Sequence, residues 1–287
     1  MFDFYKYQGL GNDFILIDER GTKGSDAAEW QSKTPSLCDR HLGIGADGLL
    51  ILSDSEGADF EMTVVNADGS IPQMCGNGIR CAARHAYFIG SSNGQKSIKV
   101  KTGAGLLTCK NLVENDHYIG SKVAMGKPIL TPSLVPTTLK STEDKILQSP
   151  LRVKGRELEI SLVSMGNPHC VVFVYHRGAP LLELATELGP FVEKHSIFPQ
   201  KTNVEFVHQL SPTHLEVVVW ERGCGITQAC GTGATASAVV AALLEKSPYD
   251  TPIGVTLLGG TLKIEVQKDL GQTWMSGPAS LVYTGKL

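Results

Sequence analysis

Short runs of alternating apolar and polar residues dominate the chain and predict many short strands. Residues 2–7 alternate with the period of two that is typical of a half-buried strand. Further strands are expected at residues 14–18, 49–52, 59–65, 96–110, 118–125, 157–163, 170–175, 202–207, 215–220 and 280–284. Helical spacing of apolar residues predicts helices at 26–42, 75–89, 181–195 and 230–246. Strands outnumber helices, which favours an α+β fold.

One short pattern occurs twice and divides the chain into halves. Cys-Gly-x-Gly stands at 75–78 and again at 230–233, which is 155 residues later, and each copy runs into a predicted helix. The same offset aligns Gly11-Asn12 with Gly166-Asn167, Asn66 with Glu221, and Gly105 with Gly260. An alignment without gaps over separated pieces indicates two homologous halves, each with one cysteine.

The repeat predicts two domains with the same architecture. Small apolar residues cover every face of the helix at 230–246, so this helix is expected to be buried on all sides. Each half is therefore predicted to be a curved, mostly antiparallel sheet wrapped around one central helix, with the active site in the cleft between the halves. The predicted domains are residues 1–126 plus 277–287, and residues 127–276. The proline-bearing stretch 126–155 is the predicted linker.

Composition narrows the classes of partner. The 287 residues fit two domains, and a net charge of −3 with 19% charged residues gives no basic stripe for nucleic acid. No signal peptide and no apolar run of membrane-spanning length is evident. Seven cysteines are an odd number in a chain too long to need disulfides. We therefore expect a cytoplasmic protein with reduced thiols and a small zwitterionic ligand.

The two cysteines define the expected chemistry. A cysteine at the first turn of a helix lies beside unpaired backbone N–H groups, which should lower its pKa and make it a base or nucleophile. The glycines that follow leave those N–H groups free to hold a carboxylate. Two thiols around one carboxylate suit stereoinversion at the α-carbon of an amino acid. One thiolate removes the hydrogen and the other thiol returns a proton to the opposite face, with no metal or cofactor required.

Six motifs together resemble the diaminopimelate epimerase family. They are Gln8–Phe14, Asn66–Ser70, Met74–Cys81, Met165–Cys170, Glu221–Gly223 and Ala229–Gly233, in the family's order and with similar spacing. The resemblance implies interconversion of LL- and meso-2,6-diaminopimelate without a cofactor, on the way to lysine. It also implies a homodimer.

The resemblance assigns roles to individual residues. Cys75 and Cys230 would be the acid–base pair. The reacting carboxylate would be held by the backbone of Gly76, Asn77, Gly231 and Thr232. Asn12 would line the site. The distal carboxylate would be bound by Asn66, Asn167, Asn203 and Arg222. Glu221 would hold the distal amino group, and His169 with Glu221 would be a supporting pair. Gly48 and Ile226 depart from the family's common Gln and Glu, which puts details of site closure in question.

Other functions fit the sequence less well. Residues 43–48 match the G-x-G-x-x-G dinucleotide fingerprint, but the expected strand follows the fingerprint instead of preceding it. Two C-x5-C pairs (75/81 and 224/230) suggest zinc, although structural zinc sites favour closer spacing. A thiol–disulfide protein would carry C-x-x-C. Proline racemases share the paired cysteines, and isomerases of the phenazine-biosynthesis type do not need both. The remaining cysteines are predicted to be structural: Cys38, Cys81, Cys109, Cys170 and Cys224.

Overall fold

The computed structural model describes residues 2–22, 24, 27–89, 96–141, 143–175, 178 and 180–287. The chain forms two compact units. Unit 1 contains Met1–Ala124 and Ser276–Leu287, and unit 2 contains Met125–Met275. Among the described residues, no helix is long and apolar enough to cross a lipid bilayer.

The first part of the chain contains two helices among short strands. In chain order the elements are β1 (Asp3–Gly9), β2 (Asn12–Asp18), α1 (Ala27–Cys38), β3 (Gly48–Ser53), β4 (Phe60–Asn66), α2 (Gly76–Phe88), β5 (Ser97–Thr102), β6 (Gly105–Glu114) and β7 (His117–Gly126).

The second part repeats this alternation. Its elements are β8 (Ser149–Val153), β9 (Arg156–Ser164), β10 (Pro168–Phe173), α3 (Leu181–Glu193), β11 (Asn203–Ser211), β12 (His214–Glu221), β13 (Gly225–Ile226), α4 (Gly231–Leu243), β14 (Ile253–Leu257), β15 (Gly260–Val266) and β16 (Thr273–Gly277). The chain ends with β17 (Ser280–Lys286).

The sheet of unit 1 is mixed but mostly antiparallel. β1 lies between β17 and β2, and both pairings are antiparallel. The pairs β2–β3 and β4–β5 are parallel, whereas β3–β4, β5–β6 and β6–β7 are antiparallel. Strand β17 thus belongs to the same sheet as strand β1.

Unit 2 repeats this strand order in the same register. In unit 1 the parallel pair β2–β3 places Phe14 beside Gly48. In unit 2 the parallel pair β10–β11 places His169 beside Asn203, each 155 residues further along the chain. The antiparallel turn pairs β5–β6 and β14–β15 also correspond, and each closes on a glycine. The internal repeat seen in the sequence is therefore a repeat of structure.

Each unit surrounds one helix with strands, which confirms the predicted α+β architecture. Helix α2 packs against β1, β2, β3, β4, β6 and β17, and α4 packs against β9, β10, β11, β12, β14 and β15. Helix α4 is buried on every face. Its two buried hydroxyls, of Thr235 and Ser237, donate to the carbonyls of Gly231 and Gly233 one turn earlier. The polar atoms are satisfied inside the helix, so the surrounding strands contact only small apolar groups.

Two expectations about local structure need correction. The stretch 126–155, predicted as a linker, contains β8 and contributes the buried Val135 and Ile146 to the apolar core of unit 2. Helix α1 ends at Cys38 rather than at 42, because residues 39–46 form a chain of turns in which backbone N–H groups return to the carbonyls of Leu37, Cys38 and Asp39. The predicted start at residue 26 lies outside the described residues.

Helix α3 fixes the turn after β12 through a close contact. A Cβ atom added to Gly189 would lie 2.6 Å from Trp220 Cγ, so the indole ring packs directly on the helix backbone. Trp220 Nε1 donates to Glu193 Oε2 at 2.9 Å, and Glu193 Oε1 accepts from Gly223 N at 3.0 Å. The turn at 221–223 is thereby anchored on both sides.

We expect Gly189→Ala to destabilise the protein by about 1–3 kcal/mol, because the indole ring must move to admit a methyl group. Urea denaturation followed by tryptophan fluorescence measures this. Gly254→Ala is the matched control, since its nearest neighbour would be at 3.7 Å, an ordinary contact distance. Equal stability of the two variants would contradict the proposed role of this contact.

Candidate active site

Both repeated cysteines cap a helix in the same way. Cys75 precedes α2 with φ −135° and ψ 115°, and its Sγ accepts from Gly78 N at 3.4 Å. Cys230 precedes α4 with φ −118° and ψ 108°, and its Sγ accepts from Gly233 N at 3.3 Å. Each sulfur therefore lies at the positive end of a helix, beside main-chain N–H groups that have no partner within the helix.

In unit 1 a chain of hydrogen bonds orients the polar residues next to Cys75. Arg80 Nη2 donates to Asn77 Oδ1 at 2.9 Å, and Asn77 Nδ2 donates to Asn12 Oδ1 at 3.1 Å. Asn12 Nδ2 in turn donates to Asp47 Oδ2 at 2.8 Å. Because each amide is held at its oxygen and at its nitrogen, neither can flip without losing two bonds.

An ionic cluster supports the far end of that chain. Asp13 forms ion pairs with Lys6 Nζ and Arg40 Nη2, both at 2.7 Å, and Arg40 Nη2 also reaches Asp47 Oδ1 at 2.7 Å. Burial acts to raise the pKa of Asp13, but hydrogen bonds from Arg40 and Lys6 and their charges outweigh it and lower the pKa to about 2. Asp47, and through it Asn12, is thus attached to a cluster that stays ionised.

In unit 2 the equivalent chain leads to a buried carboxyl group. Asn167 Nδ2 donates to Thr232 Oγ1 at 3.3 Å, and the Thr232 hydroxyl lies 3.4 Å from Cys230 Sγ. His169 Nε2 lies 3.0 Å from Asn167 Oδ1, and His169 Nδ1 lies 2.7 Å from Glu205 Oε1. Both the His169 and Glu205 side chains are fully buried.

Hydrogen-bond direction shows that this pair holds a shared proton. Asn167 Oδ1 can only accept, so Nε2 of His169 must carry a hydrogen. A proton must then lie between Nδ1 and Glu205 Oε1, on one atom or the other. Burial is the main reason that the pKa of Glu205 is raised. Its second oxygen, Oε2, is buried without a hydrogen-bond partner among the described residues.

Cys230 does not have the lowered pKa expected from its place at a helix start. Burial raises its pKa well above the ordinary value, and the charges of Glu221 and Glu205 add to the effect. Hydrogen bonds from Thr232 and Gly233 act in the opposite direction but are weaker. The helix terminus alone therefore does not decide the protonation of this thiol.

Three of the predicted distal binding residues, Asn203, Glu221 and Arg222, lie close together in unit 2. Arg222 N donates to Asn203 Oδ1 at 2.9 Å, and Asn203 Nδ2 donates to Pro168 O at 2.8 Å. The Arg222 side chain is exposed and donates from Nη1 to Gln200 O at 3.3 Å. Glu221 Oε1 accepts from Thr227 Oγ1 at 2.5 Å. The predicted supporting pair is His169 with Glu221, whereas the carboxyl group hydrogen-bonded to His169 is that of Glu205.

Asn66 belongs to unit 1 and ends β4. Its side chain donates to Ser70 Oγ at 3.0 Å, and its backbone N–H donates to Ser70 O at 2.8 Å. The turn that follows β4 therefore sets the orientation of this amide.

The two departures from the family pattern have local explanations. A Cβ atom on Gly48 would lie 2.7 Å from Val65 O across the β3–β4 pair, so this backbone has no room for a side chain. Ile226 packs against the apolar core cluster of unit 2. An apolar contact thus replaces the polar one that a glutamate would make.

Sequence reasoning missed Glu205, Arg80 and Asp47. Each reads as an ordinary polar position on a strand, helix or loop, and none lies in the repeated tetrapeptide. The repeat offset was the available signal, because it aligns Glu205 with Leu50 and Arg80 with Thr235. At both aligned positions, one half has a charged residue and the other half has an uncharged one. Such positions mark where the two halves differ.

The other cysteines divide by exposure. Burial raises the pKa of Cys38 to about 11 and that of Cys81 and Cys109 to about 12, and it raises that of Cys170 as well. Cys224 is exposed. Among the described residues, no group of three His, Cys, Asp or Glu side chains is arranged to hold a metal ion.

Comparisons of the sequence with known proteins point to one family. The family model described as diaminopimelate epimerase matches residues 4–131 and 161–282. A protein named diaminopimelate epimerase 1 from Nostoc sp. (strain PCC 7120) is 47% identical, with 99% of each chain covered. A chloroplastic diaminopimelate epimerase from Oryza sativa subsp. japonica is 44% identical, covering 98% of this chain and 79% of that protein.

Solved structures show the same fold at low identity. A probable proline racemase from Agrobacterium radiobacter K84 superposes with a TM-score of 0.73 and 11% identity, covering 100% of this chain and 93% of the other. At this identity the likeness concerns the fold only.

The ionic cluster at Asp13 should make stability depend on pH in the acid range. The carboxyl group has a lower pKa folded (about 2) than its ordinary 3.8, so its stabilisation is present above about pH 4 and is lost as the pH falls toward 2. We expect Asp13→Asn to lower the urea midpoint at pH 6 and to reduce its decline between pH 4 and pH 2.

Asp116→Asn is the control, since Asp116 is exposed in a turn with φ 61°, which asparagine tolerates. An Asp13→Asn protein with the same acid dependence as the native chain would show that the cluster is not the titrating group.

Proposed function

The chain belongs to the diaminopimelate epimerase family, and from that membership we propose that it interconverts LL- and meso-2,6-diaminopimelate in lysine biosynthesis, without a cofactor. The observation that carries the proposal is the repeated cap. Two cysteines, one in each unit, hold Sγ at the same place on the first turn of a buried helix. An epimerisation with two bases needs two such groups.

In the proposed reaction one cysteine thiolate removes the α-hydrogen as a proton. The electron pair of the broken C–H bond is delocalised into the substrate carboxylate, which becomes enediolate-like. The thiol of the other cysteine then gives its proton to the opposite face of the carbon. The two thiols exchange protonation states in each turnover, and the reverse reaction uses them in the opposite order.

Stabilisation of the enediolate is assigned to the helix starts. The main-chain N–H groups of Gly76, Asn77, Gly231 and Thr232 are proposed to bind the reacting carboxylate. Backbone donors fixed by a helix need no reorganisation when negative charge develops, which is the principle of an oxyanion hole. Asn12 is proposed to line the site, and the hydrogen-bond chain from Arg80 to Asp47 holds its side-chain amide and that of Asn77 in one orientation.

The far end of the substrate is assigned to an arginine and three asparagines. Arg222 is proposed to bind the distal carboxylate as a two-pronged donor, together with Asn66, Asn167 and Asn203, while Glu221 binds the distal ammonium group. Asn203 supports the assignment because it fixes the backbone of Arg222. A proline-sized substrate has no distal carboxylate, so these residues favour diaminopimelate over a proline racemase activity. His169 is proposed as a supporting residue behind Cys230.

The proposed assembly is a homodimer, and the proposed compartment is the cytoplasm. Strand β17 presents a run of exposed apolar side chains, in which Leu281, Val282 and Tyr283 are 41%, 56% and 44% exposed. A contiguous apolar strand surface is typical of a protein interface. The seven cysteines are all free, which suits a reducing compartment.

The reaction is tested by proton NMR of the reduced protein with LL-diaminopimelate in D2O. We expect deuterium at one α-position as meso product forms. Cys75→Ala and Cys230→Ala should each lower the epimerisation rate by about 10²–10⁴-fold, because each removes one acid–base group. L-Proline is the parallel substrate. Exchange on proline alone would overturn the substrate assignment, and full activity in either variant would overturn the two-base mechanism.

The dimer is tested by sedimentation equilibrium of Val282→Lys. A buried ammonium group in an apolar interface is costly, so we expect the variant to be monomeric at concentrations where the native chain is dimeric. Leu258→Lys is the control, since Leu258 is an exposed apolar residue of unit 2. A monomeric native chain would contradict the proposal.

A further inference from the structure

The internal repeat allows the surroundings of the two cysteines to be compared position by position. Helices α2 and α4 match residue for residue at the offset of 155, and the strands β3 and β11 begin at matched residues. Two matched positions next to the thiols carry groups of different charge. Leu50 corresponds to Glu205, and Arg80 corresponds to Thr235.

The first position is the side chain that lies over the glycine of each cap. A Cβ atom on Gly78 would be 2.9 Å from Leu50 Cδ2 and 3.6 Å from Cys75 Sγ. A Cβ atom on Gly233 would be 2.8 Å from Glu205 Oε1 and 3.3 Å from Cys230 Sγ. The same small space beside each sulfur is therefore closed by a methyl group in unit 1 and by a carboxyl oxygen in unit 2.

The second position is the side chain that bonds to the first carbonyl of each helix. Arg80 Nη1 donates to Gly76 O at 3.0 Å, and Thr235 Oγ1 donates to Gly231 O at 2.8 Å. Both side chains are fully buried. The hydrogen bond is the same in the two units, but in unit 1 the donor brings a positive charge to the turn that Cys75 caps.

The ionisable groups around the two sulfurs also differ in charge between unit 1 and unit 2. The charge of the buried Arg80 guanidinium on α2 acts on the ionisable groups of Cys81, Cys75 and Tyr118. Two carboxyl groups act on Cys230, those of Glu221 on β12 and Glu205 on β11, and His169 on β10 is hydrogen-bonded to Glu205. A nearby cation favours a thiolate, whereas nearby carboxylates favour a thiol.

We propose that Arg80 and Glu205 are positioning residues that make the two cysteines unequal at rest, with Cys75 as the thiolate and Cys230 as the thiol. This inference rests on the two-base reaction proposed above and adds the residues that set its starting state. It assigns to the buried guanidinium a role beyond packing. It also gives a reason for a carboxyl group with one unsatisfied oxygen beside Cys230.

The proton balance of the cycle follows from this resting state. The thiolate of Cys75 takes the α-proton and becomes a thiol, while Cys230 gives its proton to the carbon and becomes a thiolate. Release of the product leaves the protein in the less stable of its two forms. Cys75 then loses one proton to water, and Cys230 gains one from water, which restores the resting form without any other reactant.

The test is alkylation of the substrate-free protein with iodoacetamide between pH 5 and pH 10, resolved for each cysteine by peptide mass spectrometry. The midpoint of each pH profile reports the thiolate fraction independently of access to the thiol. We expect Cys75 to have a lower midpoint than Cys230 in the native chain. The exposed Cys224 is an internal reference for the reagent.

Two matched pairs of variants separate charge from packing. Arg80→Gln should raise the Cys75 midpoint by about one pH unit, a roughly tenfold loss of thiolate below the midpoint, while Arg80→Lys should keep the native value. Glu205→Gln and Glu205→Leu, the latter copying position 50, should lower the Cys230 midpoint by a similar amount. The Arg80 variants should not change the Cys230 midpoint, and the Glu205 variants should not change the Cys75 midpoint.

The outcomes separate this inference from the proposed reaction, because alkylation needs no substrate. Equal midpoints for Cys75 and Cys230 in the native chain would overturn the inference even if the protein epimerises diaminopimelate. Equal effects of Arg80→Gln and Arg80→Lys would assign Arg80 to packing and also overturn it. Unequal midpoints in a chain inactive on diaminopimelate would leave the inequality standing and overturn the reaction.

Discussion

The hydrogen bond from a main-chain N–H to a cysteine sulfur at the start of a helix is the constraint on which each unit depends. The cysteine has an extended backbone, and the glycine three residues later leaves room for the side chain of Leu50 in unit 1 and of Glu205 in unit 2. Both helices are also enclosed by the strands of their own unit. The small side chains of α4 and the hydroxyls that bond back to their own helix follow from that enclosure.

Around this shared frame the two units use different polar groups for comparable tasks. Unit 1 orients its amides with the buried Arg80 and with an ionised cluster that includes the exposed Arg40. Unit 2 uses a histidine and a carboxyl group that are completely buried and share a proton. Charges near solvent are inexpensive to keep ionised, while buried groups are stable only when their total charge is balanced. The same backbone therefore supports two electrostatic environments.

Much of the fold was predictable because it depends on local pattern. The helices at 75–89 and 230–246 and most strands followed from periodicity, and the repeat predicted two similar halves. The parts of the candidate site that depend on local backbone geometry were predictable, as in the Cys-Gly-x-Gly caps. Contacts that depend on which strands are neighbours in the sheet were not predictable. Glu205 meets His169 only because β10 and β11 are parallel neighbours. The raised pKa of Cys230 depends on burial, which is a property of the folded unit.

The hydrogen bond from Arg80 Nε to Pro278 O at 3.2 Å has a consequence for the order in which the protein folds during synthesis. Unit 1 is discontinuous in sequence, since β1 pairs with β17 at the other end of the chain. The ribosome releases the whole of unit 2 before β17 emerges, so unit 2 is able to fold while the sheet of unit 1 still lacks its last strand. The buried guanidinium acquires that carbonyl acceptor only after Pro278 has been made, which follows all of unit 2 in the sequence. The surroundings of the Cys75 helix are thus completed later in synthesis than unit 2.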